Sequence, residues 1–102
     1  MPELKYRDQL PAIQSDSIVS RKIQTDDDVR VVAFAFAAGQ ELSEHATPLE
    51  ARLDVYAGLV VVTVASVSTE AGPGMSVPLP AGVPHAVRAI EDSQAVLFMH
   101  RR

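Results

Sequence analysis

The chain has 102 residues, 47% of them hydrophobic, which is enough for one core and leaves no room for a second. Thirteen acidic against nine basic residues give a formal charge of −4, which disfavours a nucleic-acid backbone or an anionic membrane as partner. Cysteine is absent, so disulfides, thiolate metal sites and thiol nucleophiles are excluded. Met1–Lys5 carries no apolar leader, and the longest apolar run, around Leu59–Val62, is too short to span a bilayer. The expectation is a single cytoplasmic domain over residues 1–102, with an interior of Val, Leu, Ile, Ala and three Phe. Abundant β-branched Val favours strands.

In chain order, Ser17–Ile23 reads as a short strand. Asp26–Asp28 then suits a solvated hairpin turn better than a cation site. Val29–Ala38 alternates: Val32, Phe34 and Phe36 point one way, Ala33, Ala35 and Ala37 the other, which predicts a closely covered small face. Thr47–Pro48–Leu49–Glu50 is ambiguous. A Thr N-cap, a Pro at the first position and a Glu three after the cap are a helix start, with Gly58 as a stop. A strand also fits, with Leu53 and Val55 inside and Arg52, Asp54 and Tyr56 outside. Local pattern does not decide between them.

Leu59–Val67 is apolar on both faces and predicts a strand covered on both. In so small a chain the second cover points to a partner subunit, so a homodimer through Leu59–Ala65 is expected. Ser76–Leu79, His85–Ile90 and Ala95–His100 complete the strands. Gly72–Pro73–Gly74, Pro78, Pro80, Gly82 and Pro84 punctuate them, as many short strands require. Pro78 and Pro80 hold the chain extended, Gly82 supplies a turn, and Pro84 biases Val83 to extended geometry before His85.

Two spacings stand out. Gly39, His45 and Gly58 form the first; Gly74, Pro80, Gly82 and His85 form the second. Together they resemble the paired signatures of the cupin superfamily, and Pro80–Ala89 is especially similar to small bacterial cupins. The resemblance spans Gly39 to Ala89, about half the chain. It implies an all-β double-stranded β-helix (a jelly-roll or cupin barrel) of two antiparallel sheets. It also overrules the helix after Thr47, because in cupins that stretch enters a barrel strand.

Cupins typically hold one divalent metal on two His and a carboxylate from the first segment and one His from the second. Only His45 and His85 of that set are kept. The other His position is Thr47, the carboxylate position is Ala51, and the final Asn of the second segment is Ala89. The resemblance therefore implies His45, Thr47 and His85 as ligand-binding residues. As metal ligands it leaves His45 and His85, with Glu50 a further candidate although strand parity turns it to the outer face. The cofactor it implies is a divalent transition metal such as Fe, Mn, Ni or Zn. His100, near the C-terminus, reads as solvated.

Two functional readings follow. One is a binding module that holds a small molecule or a weakly bound metal without turnover. The other is a metal-dependent dioxygenase- or isomerase-type enzyme built on His45 and His85. An accessory role beside another protein is a third. No DNA-reading helix, P-loop, GxGxxG or GxSxG motif is present.

Overall fold

Val-rich segments separated by Gly and Pro have one economical solution, a pair of facing sheets whose inner residues alternate with outer ones. The computed structural model describes residues 6–25 and 28–101. After a 3₁₀ turn at Tyr6–Gln9 come β1 (Ile18–Thr25), β2 (Val29–Phe36), β3 (Glu41–His45), β4 (Glu50–Ala57), β5 (Val60–Val64), β6 (Val67–Ala71), β7 (Ser76–Leu79), β8 (His85–Ala89) and β9 (Ser93–His100). One sheet has the order β1-β2-β9-β4-β7 and the other β3-β8-β5-β6, with every pairing antiparallel. The expected fold class holds.

Between the sheets lie Phe36, Leu53, Val55, Val60, Val62, Ala71, Leu79, Val87, Ala89 and Ala95, all buried. A second cluster covers the back of the five-stranded sheet. There Val31, Ala33 and Val96 are buried beneath Leu10, Ile23, Val29, Tyr56 and Phe98. The Gln94 amide fastens the N-terminal segment over this face by donating to the Pro11 carbonyl at 2.8 Å. The small Ala face predicted for β2 is thus closely covered, by the chain itself. Asp26 and Asp27 lie outside the described residues; Asp28 makes an exposed ion pair with Arg101 at 3.8 Å.

The stretch after Thr47 is strand, with Leu53 and Val55 buried and Arg52 exposed. The helix-start signature is used differently. The Thr47 hydroxyl accepts from the Leu49 amide at 3.3 Å, which turns the chain into β4.

Leu59–Val67 is not one strand. β5 ends at Val64, and Ala65 (φ 49°) and Ser66 (φ 69°) form a two-residue turn into β6, with Val64 paired to Val67. Both central residues are left-handed, as a type I′ hairpin demands, but neither is the Gly or Asn that would mark it in a sequence. On the outer side of β5, Val61 and Thr63 are half-buried. Cross-strand pairing sets Arg88 and Glu70 beside Val61, and Glu41 beyond Arg88.

Candidate ligand cavity

His85 is placed by the turn that precedes it. Gly82 adopts φ 75° and donates its amide to the Thr47 carbonyl at 2.7 Å, joining the turn to the loop after β3. Pro84 then delivers His85 as the first residue of β8, as predicted. His45 is placed by an irregularity. Leu42 pairs with Val87 and His45 with His85, so β3 spends three residues where β8 spends two. In a regular strand Leu42 and His45 would face opposite sides. The extra residue is a β-bulge that resets the alternation, so both side chains border the inner cavity, with His45 at its exposed rim.

The two rings meet with centroids 4.4 Å apart and planes at 65°. They border a cavity of about 150 Å³ whose other walls are Phe34, Leu42, Leu53, Leu79, Val87 and Leu97. The Nδ1 of His45 lies 2.8 Å from the Ser43 carbonyl, and that of His85 lies 3.3 Å from the Val83 carbonyl. A carbonyl can only accept, so each Nδ1 must carry the proton. In the neutral ring the lone pair is then on Nε2, which makes that atom the acceptor or metal-ligating nitrogen in both residues.

His85 is buried and His45 exposed. Burial, reinforced by the neighbouring His45, holds His85 below the ordinary imidazole value; the Val83 carbonyl opposes this less strongly. The folded state therefore resists a proton that the unfolded chain accepts near pH ~6.5. Below that pH the unfolded state binds more protons, and stability falls as pH drops toward the lowered value. His85→Leu is expected to have a shallower loss of melting temperature than wild type between pH 7 and 5. Parallel curves for the two proteins would contradict it.

The other sequence candidates do not join the pair. Thr47 borders an adjoining groove with Arg30, Leu49 and Met99, and its hydroxyl is engaged with the Leu49 backbone. Glu50 opens β4 on the outer side, paired with His100, while Ala51 turns inward and packs on the core. His100 is exposed. Among the described residues no three His, Cys, Asp or Glu side chains come together to hold a metal. A first-row divalent ion requires more than two imidazoles, and a carboxylate normally offsets its charge. The groups around this cavity do not fit a resident metal centre. The apolar walls were not singled out as site residues, although inward parity marks Phe34, Leu53 and Leu97 in the sequence.

Two facing antiparallel sheets of five and four strands form a β-sandwich barrel, and the histidine pair borders its inner cavity. The fold is that of the cupin superfamily, whose small members are its structural neighbours and cover nearly the whole chain. A conserved protein of unknown function from Streptococcus pyogenes matches with a TM-score of 0.89 and 27% identity, covering 99% of this chain and 88% of that one. A cupin superfamily protein from Desulfitobacterium hafniense matches at 0.88 and 19%, covering 99% and 92%. A cupin 2 conserved barrel domain protein from Leptotrichia buccalis matches at 0.88 and 25%, covering 92% of this chain and 46% of the other. No family model and no curated protein matches the sequence.

Proposed function

We propose that the barrel is a binding module for a small, mainly apolar molecule bearing one hydroxyl, held without a resident metal. The observation that supports this is the cavity's composition: six apolar side chains and two imidazoles that offer Nε2 as acceptors. A volume of about 150 Å³ suits a single arene or a branched aliphatic group, since cavities of that size lined by Leu, Ile and Phe bind benzene. One hydroxyl donated to a desolvated imidazole fixes its orientation. The metal-dependent alternative would need a carboxylate that this cavity lacks.

Phenol is the direct probe. It is expected to raise the melting temperature of the wild-type protein and to shift the ring resonances of His45 and His85. His85→Leu removes the buried acceptor and should weaken phenol binding by about tenfold, the worth of one well-placed hydrogen bond. Phenol at millimolar concentration that leaves both readouts unmoved would defeat the proposal.

A further inference from the structure

The cavity has a second tier. Arg30 precedes Val32, Phe34 and Phe36 at the spacing that keeps a strand on one face, and it pairs directly with Met99 of β9. Met99 in turn follows Leu97, a wall of the imidazole cavity, by two residues. Arg30 and Met99 border a groove of about 410 Å³ together with Thr47, Leu49 and Arg101. The groove and cavity thus follow one another on the inner faces of β2 and β9, with Leu97 and Met99 only about 7 Å apart along the strand. His45 and Thr47 connect them on the opposite side, two residues apart.

The charges in the groove are unequal in availability. Arg101 makes an ion pair with Asp28. The Arg30 guanidinium has no hydrogen bond or ion pair among the described residues, and its neighbours in the groove are apolar or neutral apart from Arg101. A guanidinium set above an apolar floor presents a planar fork suited to a carboxylate.

We infer that the ligand is a hydroxylated aromatic acid: its hydroxyl meets the imidazoles, its ring fills the cavity, and its carboxylate is held at the mouth by Arg30. This rests on the binding-module reading and adds the ligand's charge and polarity to it. The apolar end enters first, because the cavity walls reject a carboxylate and, among the described residues, the groove supplies the only guanidinium groups bordering either space.

The experiment compares phenol with 4-hydroxybenzoate by calorimetric titration at low salt. The acid is expected to bind the wild-type protein about tenfold more tightly than phenol, the contribution of one charge-assisted contact. Arg30→Gln should erase that advantage and leave phenol binding within about twofold, while high salt should shrink it in the wild type. Phenol binding with no gain from the carboxylate overturns the inference and leaves the binding module standing. An advantage that survives in Arg30→Gln also overturns it. Failure of both probes to bind removes the two readings together.

Discussion

Gly58→Ala is expected to destabilise the protein far more than Gly39→Ala, although the two glycines share a φ of 86°. Any L-residue is strained in that conformation, and at Gly39 strain is the whole cost because a Cβ there would meet nothing within 4 Å. That cost is about 1–2 kcal/mol. At Gly58 the added carbon would also strike the Asp92 carbonyl and the Ser93 hydroxyl, and would sit 2.7 Å from Ser93 Cα. These atoms cannot move cheaply. Ser93 is fully buried, and its hydroxyl donates to the Glu91 carbonyl at 2.7 Å and accepts from the Leu59 amide at 3.1 Å. The contact thus fastens the β4–β5 turn to the start of β9, tying the two sheets together. A loss on the order of 4 kcal/mol is expected, a large part of the stability of a domain this size. Denaturant unfolding of both variants checks it, and similar midpoints for the two would show that Gly58 is kept for its dihedral alone.

Ala51→Glu is expected to create a metal site. Ala51 lies on the inner face of β4, paired with Leu79 on one side and Met99 on the other, and Leu79 is itself a wall of the imidazole cavity. A carboxylate there would join two imidazoles whose Nε2 lone pairs are free of the Nδ1–carbonyl contacts and could serve as ligands. Two His and one carboxylate form the facial set that first-row metals accept. Zinc or nickel affinity, measured by competition with a chromogenic chelator, should rise by at least about tenfold over wild type. Glu50→Gln is the matched control, because Glu50 faces away, and it should leave metal binding at the wild-type level. If Ala51→Glu folds with unchanged affinity, the inner position of β4 does not reach the histidines, and the account of the missing carboxylate fails.

Much of the architecture could be read from the residues. β7, β8 and β9 lie within two residues of their expected bounds because Pro and Gly mark their ends and apolar side chains fill them. β4 needed the cupin spacing, since Thr47–Glu50 is locally as good a helix start as a strand entrance. Two strands escaped for physical reasons. β3 is an exposed edge strand whose only half-buried member is Leu42, so it has no apolar alternation to read. β6 follows a hairpin turn made by Ala65 and Ser66, residues that carry no turn signature.

The site was half legible. Histidines at two cupin positions pointed to each other, and the structure brings them within ring contact. Thr47, placed with them by the cupin resemblance, borders the adjoining groove, and its hydroxyl is engaged with the Leu49 backbone. The bulge that aims His45 inward depends on pairing with β8, which no local pattern reveals.

Each histidine is tethered to the carbonyl two residues before it. Those restraints belong to the chain alone and exist before any guest arrives. Little rotational freedom of either ring is then left to be surrendered on association, which under the proposed binding reading would let a small molecule be held with few contacts. On that reading the same leash would keep the rings from swinging to follow a guest of another shape, and selectivity would come from that rigidity.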